Sequence, residues 1–123
     1  MILIADDATG TREIYADHFG GRGFSVVTAH DGARAVQAAL DHLPDVMVVD
    51  LAMPQIDGIT AIRRIRADSR THRSRVILLT GYPHTAAARG ALEAGADMVL
   101  TKPCLPEVLE RHVDRLRRRK RSV

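Results

Sequence analysis

Three acidic residues, a threonine and a lysine stand where apolar runs stop. Asp6 and Asp7 follow Ile2 to Ala5, Asp50 follows Val46 to Val49, Thr80 follows Val76 to Leu79, and Lys102, with Pro103 behind it, follows Met98 to Leu100. Carboxylates crowded together repel one another, and at least one is driven towards its protonated form unless a cation joins them. A hard divalent ion such as Mg²⁺ (or Mn²⁺) suits an all-oxygen, water-rich site with few protein ligands. The lysine adds a fixed positive charge and the threonine a hydroxyl donor. Carboxylate, divalent ion, ammonium and hydroxyl together suit phosphoryl transfer, in which catalysis is mostly positioning and charge neutralisation. Asp50 would then be the nucleophile, forming an aspartyl phosphate.

Such a set needs a scaffold that delivers strand ends to one edge. The apolar runs Ile2 to Ala5, Phe24 to Ala29, Val46 to Val49, Val76 to Leu79 and Met98 to Leu100 read as strands. Because they are nearly continuous and not alternating, they indicate a sheet covered on both faces. Between them lie segments with helical spacing: Ile14, Tyr15, His18 and Phe19; Val36, Ala39 and Leu40; Ile59, Ile62 and Ile65; Ala87, Ala91, Leu92 and Ala94; Leu105, Val108, Leu109, Val113 and Leu116. Strands recurring with intervening helices predict one α/β, doubly wound (βα)5 domain: a five-stranded parallel sheet with helices on both faces. The domain is expected over 1–118, with 119–123 a basic tail or the start of a linker. In such a sheet ligands sit beyond the carboxyl ends of the strands, where the five residues above would meet.

Composition agrees. A chain of 123 residues, 46% apolar and 27% charged, holds one ordinary core. The single cysteine, Cys104, has no internal partner, which suits a reducing compartment, and no apolar run is long enough to span a bilayer; a cytoplasmic location is expected. The net charge of +3 divides unevenly: residues 111–123 carry seven basic residues against Asp114, a net of +6, and the remaining eleven basic and fourteen acidic residues give −3. That basic end lacks aromatics for stacking and any binding motif, so specific nucleic-acid binding is not expected.

The set Asp6-Asp7, Asp50-Leu-Ala-Met-Pro54 with Gly58, Thr80-Gly81 and Lys102-Pro103 resembles the receiver domain of bacterial two-component response regulators. The resemblance implies the flavodoxin-like strand order 2-1-3-4-5. It also implies phosphoryl transfer to Asp50 from a histidine kinase or histidine phosphotransfer protein, switching partner binding or an attached output domain. Asp7, Asp50 and the backbone carbonyl of Ala52 would ligate Mg²⁺ directly, and Asp6 through water. Lys102 would meet the phosphoryl oxygens, with its bond to Pro103 in cis. Thr80 would hydrogen-bond the phosphoryl group and draw its loop inward, and a homodimer through the fourth and fifth helices is open to this family. Such a domain is no enzyme on outside substrates; it catalyses its own phosphorylation and dephosphorylation.

Two departures stand out. The family usually places an aromatic residue on the fifth strand three before the lysine, where this chain has Val99, so the ring that would follow Thr80 inward is missing. Tyr82 is the aromatic nearest Thr80, read either as an exposed loop residue or as a substitute relay. Ala52 and Tyr82 flank the approach to Asp50; Ala52 has no polar group to orient water and Tyr82 could shield the site, so slow self-dephosphorylation is expected. Elsewhere, Asp57 reads as a helix N-terminal residue, Asp31 and Asp97 as turn residues, His84 as surface, and Cys104 as a packed thiol. The six histidines show no zinc-ligand spacing. The alternative is an α/β phosphohydrolase with an aspartyl-phosphate intermediate, but that chemistry commonly needs a general acid two residues after the nucleophile, where Ala52 stands. A dinucleotide-binding domain would need Gly-x-Gly-x-x-Gly after the first strand, and Asp7-Ala-Thr-Gly-Thr-Arg does not supply it.

Overall fold

A computed structural model describes residues 1–82 and 85–118. The elements alternate strictly: β1 (Ile2–Ala5), α1 (Thr9–Gly21), β2 (Val26–Ala29), α2 (Gly32–His42), β3 (Val46–Asp50), α3 (Gly58–Ala67), β4 (Arg75–Thr80), α4 (Ala86–Ala94), β5 (Met98–Thr101) and α5 (Pro106–Arg118). All strand pairs are parallel and the order is β2-β1-β3-β4-β5, as the resemblance implied. Because β1 lies at the centre of a chain reversal, the β1 and β3 ends border the crevice at the topological switch point.

Side chains alternate across the central strands and build two cores. Leu3, Ala5, Met47, Val49 and Leu78 pack with Ala35, Ala39, Ile62, Ile65 and Ala91 on the face covered by α2, α3 and α4. Ile2, Ile4, Val46, Val48, Ile77 and Leu79 pack with Tyr15, Phe19, Leu109, Val113 and Leu116 on the face covered by α1 and α5. Three strands buried on both faces explain the continuous apolar runs.

The boundaries differ where packing overrides pattern. Phe24 precedes β2 and instead stacks edge-on against Phe19, ring centroids 5.1 Å apart, with the Arg117 guanidinium 4.5 Å from its ring. Ile14, expected beside Tyr15 on the buried face, is 59% exposed, because Tyr15 and Phe19 at i, i+4 already fill the contact with the sheet. Leu105 is 66% exposed: α5 begins at Pro106, so this residue lies ahead of the helical repeat. In α4 the buried pair is Ala88 and Ala91, while Ala87 and Leu92 face outward. Asp97 is more than a turn residue. Its carboxylate pairs with Arg66 at 2.9 Å and accepts from the Val76 N–H at 2.7 Å. Asp57 caps α3 by accepting from the Thr60 N–H at 2.8 Å, and Asp31 caps α2 through the Arg34 N–H at 2.8 Å. Residues 119–123, read as a tail or linker, and His84 lie outside the described residues. Among the described residues no helix is long and apolar enough to cross a membrane.

Candidate active site

The carboxyl edge of the sheet collects the five side chains singled out by their positions. Asp6 follows β1, buried to 2% exposure, and its Oδ1 accepts from the Ala8 N–H at 2.9 Å, fixing the acid as the chain enters α1. Asp7 beside it is exposed. Asp50 is the last residue of β3, buried from both sides by β1 and β4, with 6% exposure. One carboxylate oxygen from each of Asp6, Asp7 and Asp50 lies within 4.8 Å of the others. From the far side Lys102 brings its Nζ to 3.3 Å from Asp6 Oδ2 and 3.3 Å from Asp50 Oδ1.

The loop after Asp50 is held by close backbone packing. The Gly58 N–H donates to Leu51 O at 3.0 Å, and a Cβ at Gly58 would lie 2.9 Å from Asp50 O. A Cβ at Gly32 would lie 1.8 Å from Ile56 O, so the start of α2 forms the floor of this loop. Glycine is needed at both places because another backbone occupies the space a side chain would take.

Burial pushes the Asp50 carboxyl above the ordinary carboxylate range; the Lys102 charge pulls it back, Asp6 pushes it further up, and the Ala52 N–H lowers it by hydrogen bonding. Burial works to lower the Lys102 pKa, but attraction to Asp50 and Asp6 outweighs it and the ammonium is held more firmly than usual. Lys102 therefore stays charged, and one positive charge faces three carboxylates. Asp6 Oδ2 is buried and makes no hydrogen bond by geometry among the described residues; the Lys102 ammonium faces it as an ion pair at 3.3 Å. A buried oxygen lacking a hydrogen bond, an all-oxygen donor set and residual negative charge fit a hard divalent cation.

The remaining residues divide. Thr80 ends β4 at the same edge, buried, with its Oγ1 accepting from the Tyr82 N–H at 3.1 Å. Tyr82 is 76% exposed. Val99 pairs in register with Leu78 and packs, half-buried, on the α3–α4 side of the sheet. The Lys102–Pro103 peptide is cis. Cys104 is half-buried against the α1–α5 core. Two neighbours escaped the reading of motifs. Arg12 Nη1 donates to Asp6 O at 2.8 Å, and the Tyr15 hydroxyl donates to Cys104 O at 2.6 Å. Both contacts end on backbone carbonyls, which carry no side-chain signature.

A profile of the response regulator receiver domain matches residues 2–114, and the chain belongs to that family. It is thus a receiver domain of phosphorelay signalling, and the family match favours a signalling domain over a phosphohydrolase of similar topology. The chain is 36% identical over 103 residues to chemotaxis protein CheY of Bacillus subtilis, covering 83% of this chain and 84% of that protein. With response regulator MprA of Mycobacterium avium it shares 36% identity over 120 residues, 97% of this chain. The chain spans about half the length of that relative and of another curated one, 52% and 45%. Among solved structures, the receiver domain of the sensor histidine kinase PA1611 of Pseudomonas aeruginosa superposes with a TM-score of 0.87 at 28% identity, covering 94% of this chain and 95% of that one; it holds a magnesium ion in its active site cleft.

Proposed function

We propose that Asp50 is the phosphoacceptor of this receiver domain, taking a phosphoryl group from a histidine kinase or histidine phosphotransfer protein. The observation that carries the reading is the convergence of Asp6, Asp7 and Asp50 with Lys102 at 3.3 Å from two of them, around a buried Asp6 Oδ2 that makes no hydrogen bond among the described residues. Asp7, Asp50 and the Ala52 carbonyl would hold Mg²⁺, with Asp6 acting through water; Mn²⁺ has the same oxygen preference. Such an ion, when bound, offsets the carboxylates' repulsion and the charge of the phosphoryl oxygens.

An Asp50 carboxylate oxygen attacks the donor's phosphorus as the P–N bond breaks. The bonding pair leaves on the imidazole nitrogen, which takes up a proton from solvent. Lys102 then turns from Asp50 towards a phosphoryl oxygen, and the Thr80 hydroxyl exchanges its bond with the Tyr82 N–H for one to the phosphoryl group. Because Tyr82 N–H is bound to Thr80, that exchange moves the 80–82 turn; with Val99 in place of a ring, the turn itself carries the readout. A donor protein would dock beside Lys102, where an apolar groove of about 500 Å³ is lined by Ile14, Pro103, Leu105 and Pro106.

The domain would act in the cytoplasm, catalyse only its own phosphorylation and hydrolysis, and lose its phosphoryl group slowly, since Ala52 cannot orient water. A homodimer would use α4 and α5, where Leu92 and Arg111 are exposed, and attraction to nucleic acid would be non-specific and abolished by moderate salt. Incubation with Mg²⁺ and a small phosphodonor, followed by intact mass and size-exclusion analysis, tests the core claim. One phosphoryl addition is expected, absent from Asp50→Ala; its persistence in that variant overturns the assignment.

A further inference from the structure

Of the two buried aromatic residues of α1, Phe19 is wholly apolar, whereas Tyr15 carries a polar tip towards the active edge. Its ring lies in the α1–α5 core at 5% exposure, and its hydroxyl donates to Cys104 O at 2.6 Å, joining residues 89 apart in the chain. Cys104 stands two residues beyond Lys102, in the connection that runs to the start of α5 at Pro106.

This connection is pinned at three points. At its start the Lys102 N–H donates to Thr80 O at 2.8 Å, and at its end Leu105 O accepts from the N–H groups of Val108 and Leu109, both at 3.0 Å. Pro103 between them has no N–H to give. Tyr15 supplies the third point from another element. One turn earlier on the same helix Arg12 donates to Asp6 O at 2.8 Å. Helix α1 thus grips the backbone on both sides of the Lys102–Asp6 contact.

We propose that Tyr15 is a positioning residue for the phosphoryl-transfer site, holding the backbone after Lys102 so that its ammonium stands between Asp6 and Asp50. The inference rests on reading Asp50 as the phosphoacceptor and Lys102 as the phosphoryl contact. A lysine has a flexible four-carbon stem, so its head is placed only as well as its backbone is held. Reaching two oxygens at 3.3 Å leaves little slack, and misplacement of a site group by an ångström can cost about 100-fold in rate. Burial and nearby negative groups push the Tyr15 phenol up to about 12, so the donor keeps its proton throughout the working pH range.

Lys102 and Lys120 are the two lysines of the chain, so lysine labelled with ¹³C and ¹⁵N at the side-chain end gives two resonances. Substituting Lys120→Arg assigns them. In Tyr15→Phe the Lys102 resonance should move towards the free-lysine position while Lys120 stays put. The rate of phosphorylation by a small phosphodonor should fall about 3- to 10-fold, the effect of one lost hydrogen bond. In a Lys102→Ala background Tyr15→Phe should lower the rate no further, because its effect passes through the lysine. Thr71→Val serves as the stability control. It removes a buried hydroxyl bond to Ile65 O of 2.7 Å at the opposite edge of the sheet, and should leave both resonance and rate unchanged. An unmoved Lys102 resonance in Tyr15→Phe overturns the inference, as does an equal rate loss in Thr71→Val. Failure of the wild-type chain to gain phosphate strikes instead at the phosphoacceptor reading, and the resonance experiment still decides whether Tyr15 positions Lys102.

Discussion

Removing the Arg66 guanidinium should uncouple the amino edge of the sheet. Arg66 sits near the end of α3 with its side chain 13% exposed, and Asp97 opposite is exposed to the same degree. Its Nη2 donates to Asp97 Oδ2 at 2.9 Å, its Nε to Gly95 O at 3.0 Å, and its Nη1 to His72 O at 3.0 Å and to Ser74 O. One side chain therefore ties α3 to the segments entering β4 and β5. Breaking a largely buried pair by deleting one partner costs about 3–5 kcal/mol, because the other charge is left in place. Asp97 keeps the Val76 N–H at 2.7 Å, which puts Arg66→Ala at the lower end, ~3 kcal/mol. In a domain of this size that lowers Tm by roughly 10–15 °C. Urea and thermal unfolding followed by circular dichroism measure it, in a cycle with Asp97→Asn to isolate the pair. A loss under about 1 kcal/mol would be that of an exposed ion pair and would refute the reasoning. The folded variant should accept phosphate at the wild-type rate, since these contacts lie at the edge opposite Asp50.

Gly32→Ala puts a Cβ 1.8 Å from Ile56 O, so the loop after Asp50 must move; phosphorylation should slow markedly and stability fall by about 1–3 kcal/mol, and a wild-type rate would show that α2 is not the floor of the loop. Mg²⁺ should stabilise the folded chain by about 2.7 kcal/mol at a hundred times Kd and raise Tm accordingly, and an equal stabilisation of Asp7→Asn would remove that acid from the ligand set. For Tyr15 the pKa of about 12 lies above the ordinary 10.0, so its contribution is intact below pH 10 and declines as pH rises from there towards 12, while the unfolded chain ionises and the folded one does not. Alkaline urea titration should show this decline in the wild-type chain and not in Tyr15→Phe. Replacing Ala52→Asn should shorten the phosphoryl lifetime measured by intact mass, and an unaltered lifetime would count against the lack of a water-orienting group at that position as the cause of slow hydrolysis.

The five residues of the candidate site were legible in the chain because strand ends are marked locally: where an apolar run stops, the polar residue that follows must lie at the sheet edge. Parallel pairing of β1, β3, β4 and β5 then brings Asp6, Asp50, Thr80 and Lys102 to one place without any further information. The two-sided burial of the strands was written in their continuous Val, Ile and Leu. Contacts made through the backbone were not legible. Tyr15 reads as one more core residue until its hydroxyl is seen on Cys104 O, and Asp97 reads as a turn residue until Arg66 closes on it. Ile14 and Leu105 look like core by composition, yet the sheet has no room for one and the helix starts after the other. Which residues could do the chemistry follows from residue type and local order; how firmly they are held follows from partners far off in sequence, and only the packed structure supplies those.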